Sequence, residues 1–311
     1  MKRILLTVEY DGTAYAGWQR QINGLAVQQV LEEALSAACG HPVTVTGSSR
    51  TDAGVHALMQ MVHFDTDSSI PADKYPFVLN NILPPDIRVQ AGREVPPGFH
   101  ARFLASGKTY TYRILNRRHA GALQRNTCWH VPVPLDIDAM KQAIADLPGT
   151  HDFRAFEASG GTAKTTVRTL DRADLDECSG SITIVVSGNA FLYNMVRIIA
   201  GTVVEIGLGK FGADAFTRAF ETKDRLTLGM TAPAHGLELT QVRYPEKAFP
   251  DIGNGPGRCL AAGRDLHGQI QAVRRLVEVC LHTDGYNGLI RLDRIILDQN
   301  RLRLFDMHPP A

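Results

Sequence analysis

The chain has 311 residues, 44% of them apolar, and a formal net charge of +1. This size predicts two domains or one large one that buries its own core, and the balanced charge excludes a basic tail or an acidic block as a partner-binding element. The five cysteines form no Cys-x-x-Cys pair, which disfavours a disulfide framework or a zinc site. This cysteine pattern fits a reducing cytoplasm, and no window approaches the roughly 18–20 apolar residues that span a bilayer.

The first part of the chain is predicted to run strand, helix, strand, strand, helix, strand. The alternating segment RILLTVEY ends at an Asp-Gly-Thr turn, and apolar residues then recur at the i, i+3, i+4 spacing of a helix with one buried stripe. The predicted elements are a strand at Arg3–Tyr10, a helix at Val27–Ala38, strands at Pro42–Thr46 and Ala57–Asp65, and a helix at Ala72–Asn81.

The second part repeats this order of elements. A strand at Gly107–Leu115 precedes a helix at Asp136–Asp146, strands at Thr165–Asp174 and Ser181–Ser187, and a helix at Phe191–Ile206. We therefore predict an α+β fold of two related halves, residues 1–105 and 106–248, each a mainly antiparallel sheet with helices on one face. The active-site cleft is expected between the halves, where pockets tend to form.

Residues 249–311 are predicted to form a small C-terminal appendage whose role the sequence does not reveal. The segment Ile270–Leu281 has helical spacing, and Leu289–Phe305 alternates on either side of a turn as a hairpin does. We therefore expect this appendage to be ordered.

The stretch GSSRTDAGVHA, residues 47–57, places one carboxylate, Asp52, in a turn rich in small polar residues. Such residues commonly satisfy their own backbone, which is the ordinary interpretation. A phosphate-binding loop is a second interpretation, but the stretch lacks the Gly-Lys-Ser/Thr ending. The third interpretation is a lone carboxylate kept for chemistry.

The helix predicted at Phe191–Ile206 is apolar around almost its whole circumference, as a buried helix is. Asn194, Arg197 and Gly201 share one face, on which the glycine allows another backbone to come close. Arg197 either reaches the rim and pairs with a surface acid or converges with Arg50 on Asp52. In the second case we expect the two charges to lower the pKa of Asp52.

The segment KTYTYR, residues 108–113, alternates so that Lys108, Tyr110 and Tyr112 share one face of a strand. An aromatic ring with basic neighbours can stack a nucleobase. The alternative is a pair of tyrosines packed in a sheet.

Six segments together resemble the TruA family of tRNA pseudouridine synthases, and the resemblance covers residues 1 to about 248. They are YDGTAYAGWQRQ (10–21), GSSRTDAGVHA (47–57), FHARFLASGKTYTYRI (99–114), GTHDFRAF (149–156), FLYNMVRIIAG (191–201) and TAPAHGLELTQVRYP (231–245). The resemblance implies two related α+β halves, a homodimer, and isomerisation of uridines 38, 39 and 40 of the tRNA anticodon stem-loop without cofactor or metal. Two positions depart from the family pattern: Ala26, where threonine is usual, and Met59, where many members have glycine.

The resemblance also implies roles for single residues. Asp52 matches the catalytic aspartate, and Arg50 the arginine that helps to hold the nucleotide out of the stem. Tyr110 matches the tyrosine that stacks on the base and assists proton removal. Arg197 matches the arginine paired with the aspartate, and Leu237 a leucine that lines the pocket.

Three interpretations of function stay open from the sequence. A pseudouridine synthase would use ionised Asp52 either to attack C1′ or to take a proton from the ribose, with phosphate contacts predicted at Arg20, Arg102 and Lys108. A non-catalytic RNA-binding protein or tRNA folding helper is the second interpretation, against which the intact set of matched residues counts. A phosphate-loop enzyme is the third, and the missing lysine of its loop disfavours it.

Overall fold

A computed structural model describes residues 1–249. Its strands and helices follow one another much as the two predicted halves of the sequence suggested. The strands are β1 (Lys2–Tyr10), β2 (Thr46–Gly47), β3 (His56–Thr66), β4 (Ile87–Val95), β5 (Gly107–Asn116), β6 (Trp129–Val131), β7 (Gly149–Asp152), β8 (Val167–Cys178), β9 (Ser181–Gly188) and β10 (Leu237–Arg243). The helices are α1 (Val27–Cys39), α2 (Tyr75–Asn80), α3 (Ile137–Ile144), α4 (Met195–Gly207) and α5 (Ala215–Thr222).

All ten strands join one sheet, in the order β4-β1-β3-β10-β5-β9-β8-β7, with β2 added to β3 and β6 to β5. The pairings along this path are antiparallel except that of β10 with β3, where Glu238 lies opposite His56. The last strand of the second part is therefore inserted beside β3 of the first, which joins two sheets edge to edge. The predicted α+β class with mainly antiparallel strands is confirmed, whereas the domain boundary at residue 105 stays a prediction.

Helix α4 is buried nearly all round, as its sequence predicted. Eleven of its 13 residues are buried, and the two others are Arg197 and Glu205. Gly201 faces the backbone of a neighbouring loop so closely that a Cβ atom there would lie 1.8 Å from the carbonyl oxygen of Met230. The predicted close approach of a second backbone is therefore confirmed. The helix begins at Met195 and not at Phe191, because Asn194 adopts a left-handed conformation with φ 60°.

The strand predicted at Pro42–Thr46 is wrong, since only Thr46–Gly47 pairs with β3. Side chains of α1 accept hydrogen bonds from the backbone amides that a strand would donate to a neighbouring strand. Ser36 Oγ accepts from the Val43 amide at 2.9 Å, and Glu32 Oε1 accepts from the Val45 amide at 3.1 Å. The segment is thus tied to the helix and cannot extend the sheet.

Three further expectations concern the helix at residues 72–81, the position of Ala26 and the C-terminal appendage. The helix predicted at Ala72–Asn81 is a 3₁₀ turn, Ala72–Lys74, followed by α2. Helix α1 follows Ala26, whose side chain makes no capping hydrogen bond. The helix and hairpin predicted within the C-terminal appendage lie outside the described residues.

Candidate active site

A cleft of about 1080 Å³ is lined by residues from both parts of the chain. Its walls come from the loop before β3, the start of β5, the segment leading into α4 and the start of β10. The volume slightly exceeds the roughly 300–1,000 Å³ typical of ligand pockets, so the cleft is large enough for a nucleotide. Six of the residues proposed from the sequence line it: Arg50, Asp52, Arg102, Lys108, Tyr110 and Leu237.

The loop before β3 is fixed by side chains of neighbouring strands. Gln60 of β3 accepts from the Ser48 hydroxyl at 2.7 Å and donates to the Ser49 carbonyl at 2.7 Å. Thr51 Oγ1 lies 2.7 Å from the phenol oxygen of Tyr10 at the end of β1. The small polar residues therefore bind to the sheet and not only to their own turn. A loop held in this way presents the following carboxylate in a defined position.

That carboxylate, Asp52, forms an ion pair with Arg197 of α4. Nη1 of Arg197 donates to Oδ2 of Asp52 at 3.3 Å, and both side chains are largely buried. The guanidinium is fixed by two further bonds of 2.8 Å each, to Asn194 Oδ1 and to the carbonyl of Ala232. The ion pair that the buried helix suggested is therefore present, and it joins the two parts of the chain.

The expected lowering of the Asp52 pKa is wrong. Burial raises the pKa of Asp52 above its ordinary value, and the charge and hydrogen bond of Arg197 oppose this rise only in part. Arg50 is exposed, and within residues 1–249 no hydrogen bond or ion pair joins it to Asp52. A single guanidinium thus compensates a carboxylate that has lost much of its water.

Tyr110 and Lys108 of β5 meet at one serine on the opposite wall. The phenol oxygen of Tyr110 lies 2.7 Å from Ser49 Oγ, and Lys108 Nζ donates to the same oxygen at 3.3 Å. Burial raises the pKa of Tyr110 to about 12, while burial and the charge of Arg102 lower the pKa of Lys108 to about 8. Tyr110 is therefore a neutral phenol at neutral pH, and Lys108 is a cation that loses its proton only slightly above it.

Arg197, Arg20 and Tyr112, which the sequence singled out, do not line the cleft. Arg20 forms an ion pair with Glu32 of α1 at 3.1 Å, and its side chain is more than half exposed. Tyr112 is buried beyond Tyr110 and donates to the carbonyl of Pro233 at 2.8 Å. For Tyr112 the interpretation as a tyrosine packed in a sheet is thus confirmed.

Comparisons with known proteins identify the family. The family model described as tRNA pseudouridine synthase matches residues 6–104 and 143–245, so that one matched segment lies in each predicted half. The chain belongs to the tRNA pseudouridine synthase family. It is 46% identical to tRNA pseudouridine synthase A of Thermoanaerobacter sp. (strain X514) over 244 residues, which are 78% of this chain and 100% of that protein.

A second synthase, tRNA pseudouridine synthase A of Ruminiclostridium cellulolyticum, is 49% identical over 245 residues, again 78% of this chain and 100% of the relative. The family model ends at residue 245, before the predicted appendage. Membership of this family makes the enzyme an isomerase that acts on tRNA. Residues 246–311 lie beyond the region that the family model matches.

The synthase cleft also contains residues that sequence reasoning missed. Ser49 links Tyr110 to Lys108, and Phe191 packs its ring edge-on against Tyr110 with centroids 5.0 Å apart. Phe103 and Tyr193 expose aromatic rings along the same walls. These residues lie in the quoted segments, and a single sequence gives neither the exposure of Phe103 and Tyr193 nor the contacts of Ser49 and Phe191.

Among residues 1–249, no group of three or more His, Cys, Asp or Glu side chains is placed to hold a metal ion. None of the helices described is long and apolar enough to cross a membrane.

Proposed function

We propose that this synthase converts uridines 38, 39 and 40 of the tRNA anticodon stem-loop to pseudouridine, with Asp52 as the catalytic carboxylate. The observation that carries the proposal is the ion pair of Arg197 with Asp52, a carboxylate that lines a nucleotide-sized cleft. The carboxylate is partly stripped of water and has a fixed orientation. Both properties suit a group that acts directly on the substrate.

The reaction has four requirements. The bond from N1 to C1′ must break, the uracil must turn while bound, C5 must bond to C1′, and the C5 proton must leave. Ionised Asp52 serves the first step either by adding to C1′ or by taking a proton from the ribose. Burial supports both routes, because a carboxylate with a raised pKa is a stronger base and is less shielded by water.

The target uridine must leave its stack to reach Asp52, at a cost of a few kcal/mol. Arg50 is exposed and lines the cleft, so it is available to take the space that the nucleotide vacates. Leu237 forms an apolar wall, and Tyr110 offers a ring against which the uracil can stack. Neutral Tyr110 accepts the C5 proton only while its own proton moves to Ser49 Oγ, 2.7 Å away, and the Ser49 hydroxyl passes its proton to water in the cleft.

The contacts to the RNA backbone are proposed at Arg102 and Lys108, which line the cleft. Arg20 is a weaker candidate, because Glu32 already compensates its charge.

We further propose a homodimer with two equivalent sites, since one cleft offers little surface for a molecule as long as tRNA. Light scattering should then give twice the 34.1 kDa mass of one chain.

The thiols of Cys39, Cys128 and Cys178 are free, which suits a cytoplasmic enzyme.

The test is Asp52→Asn, which keeps the shape of the side chain and removes its charge. The variant should fold and bind an anticodon stem-loop RNA while losing pseudouridine formation by at least the roughly 10²- to 10⁴-fold typical of a lost acid–base group. Pseudouridine is mapped by chemical labelling, and RNA binding is measured in parallel at one salt concentration. Near-normal product from Asp52→Asn would end the catalytic assignment. A wild-type chain that binds RNA without forming product would leave the non-catalytic binding protein as the better interpretation.

A further inference from the structure

A column of aromatic rings runs from the core to the mouth of the cleft. The buried ring of His63 packs at 4.9 Å from His100, and His100 stacks on Phe103 with centroids 4.2 Å apart and planes 27° apart. Phe99 closes the inner end, edge-on to His63 at 6.4 Å. At the outer end, Phe103 remains 75% exposed.

Backbone amides of residues 101–103 hold the two histidine rings of the column in place. His100 Nδ1 accepts from the amides of Arg102 at 3.2 Å and Phe103 at 3.3 Å, and His63 Nδ1 accepts from the amide of Ala101 at 3.2 Å. Burial lowers the pKa of both histidines, that of His63 to about 4, so both rings are neutral at neutral pH. Phe103 is thus an exposed ring whose inner face is covered by a fixed, uncharged neighbour.

The surroundings of Phe103 are those of an RNA-binding surface. It lines the same cleft as Asp52, and the guanidinium of Arg102 lies 5.9 Å from its ring centroid. Arg50 and Lys108 line the cleft as well. Exposed rings interleaved with cations are typical of surfaces that bind unpaired nucleotides, since the bases stack on the rings and the phosphates pair with the charges.

We propose that Phe103 is a stacking platform for an unpaired nucleobase of the anticodon loop, supported from below by His100 and His63. The proposal rests on the proposed function and adds to it a second contact, distinct from the pocket that receives the reacting uridine. The base is read by its face and not by its edge, so the platform accepts different bases in different tRNAs.

The chain offers a matched control on another surface. Phe77 of α2 is 69% exposed and also has a cation near its ring, with Lys74 Nζ 5.6 Å from the centroid. It does not line the cleft. Phe77→Ala therefore removes an equally exposed ring with a similar neighbour, and we expect it to change neither RNA binding nor turnover.

The experiment measures binding and turnover of anticodon stem-loop RNAs that carry 2-aminopurine at one loop position at a time. Binding is followed in the full-length Asp52→Asn chain, so that the RNA is not converted, and turnover in the otherwise unchanged chain. Phe103→Ala should raise Kd and KM by about 5- to 150-fold, the effect of losing one base–aromatic stack. It should also abolish the quenching of 2-aminopurine at one loop position or more. Phe103→Trp should restore both, whereas Phe103→Leu, which keeps apolar area without a π-face, should not.

Several outcomes would overturn the proposal. One is equal effects of Phe103→Ala and Phe77→Ala, and another is full rescue by Phe103→Leu. A third is a halved mass of Phe103→Ala in light scattering, which would assign the ring to an interface between two copies. Loss of the folded state in circular dichroism for Phe103→Ala and Phe103→Trp alike would assign it to the core. The proposed function fails separately, if the wild-type chain forms no pseudouridine in the same RNA.

Discussion

Arg197 lies 145 positions after Asp52 in the chain, and its Nη1 is 3.3 Å from Oδ2 of that carboxylate. The ion pair joins the loop before β3 to the first turn of α4. Burial nevertheless raises the pKa of Asp52, so the arginine compensates only part of the cost of removing the carboxylate from water. Arg197 therefore determines how much of Asp52 is ionised at a given pH.

The first prediction concerns Arg197→Met and the pH dependence of turnover. On the proposed mechanism, activity requires ionised Asp52 and is lost as pH falls through its pKa. Removing Arg197 removes the two influences that lower this pKa, so the acidic limb of the kcat/KM profile should move to higher pH. Activity should fall most below neutral pH and recover in part as the pH is raised.

The conservative variant Arg197→Lys serves as its control. A lysine keeps the charge but not both bonds to Asn194 and Ala232, so its acidic limb should lie between those of wild type and Arg197→Met. The prediction fails if the three profiles have the same midpoint and differ only in height.

The second prediction concerns stability. Because the pKa of Asp52 is raised in the folded chain, the protonated side chain favours folding, and this contribution is lost as pH rises through the folded-state pKa. Asp52→Asn removes a buried charge, so it should unfold at a higher urea concentration than wild type at pH 7. The gain should shrink as the pH is lowered towards 4.

Asp65 provides the opposite case in the same sheet. The hydrogen bonds and charge of Arg3 lower the pKa of Asp65, with Nη2 and Oδ2 2.7 Å apart. Asp65→Asn should therefore reduce stability at pH 7, by about 0.2–1 kcal/mol for a pair this exposed. If Asp52→Asn and Asp65→Asn shift the urea midpoint in the same direction, the contrast in pKa does not hold.

The sequence predicted much of this arrangement because its signals are local. The alternation in β1 and β5 and the apolar circumference of α4 each reflect one element in contact with a core. The strand predicted at Pro42–Thr46 failed because the partners of its amides are Ser36 and Glu32, side chains of a helix. No period within the segment itself records such a contact.

The candidate site shows the same limit. The resemblance identified Asp52 and Arg197, but the sign of the Asp52 pKa shift depends on how much water is excluded when two distant segments close around it. The position of Arg50 outside hydrogen-bonding range of Asp52 is likewise a result of tertiary structure. The sequence can thus propose site residues, whereas their electrostatic balance requires coordinates.

The third prediction concerns Gly201. A Cβ atom at this position would lie 1.8 Å from the Met230 carbonyl, which is backbone and cannot rotate away. Gly201→Ala should therefore lower the free energy of unfolding by about 1–3 kcal/mol or more, as overpacked cores do. The loop it displaces carries the Ala232 carbonyl that holds Arg197, so turnover should fall too.

Gly209 is the matched control for this variant. It lies just after α4, and nothing stands within 4 Å of a Cβ atom there, although its φ is +72°. Gly209→Asn, which tolerates this conformation, should leave turnover unchanged. A Gly201→Ala protein as stable and active as wild type would show that the contact with Met230 relaxes freely.

The last prediction concerns Lys108, whose pKa of about 8 places its loss of charge within the range of an ordinary binding experiment. If Lys108 binds a phosphate of the RNA, the affinity should decline as pH rises through 8 to 9. At pH 8, binding should take up protons, since a bound phosphate favours the ammonium form. Calorimetry in buffers of different ionisation enthalpy measures this uptake directly. Lys108→Arg stays charged throughout and should remove both effects.

Lys108→Met should weaken binding at pH 7 and reduce the slope of log K against log salt by roughly 0.7–0.9, the contribution of one phosphate contact. The bond between Ser49 and Tyr110 does not include Lys108, so kcat should change less than KM. A fall in kcat with unchanged KM and an unchanged salt slope would contradict the phosphate contact. It would show instead that Lys108 acts on the reaction through the Ser49 hydroxyl, to which it donates at 3.3 Å.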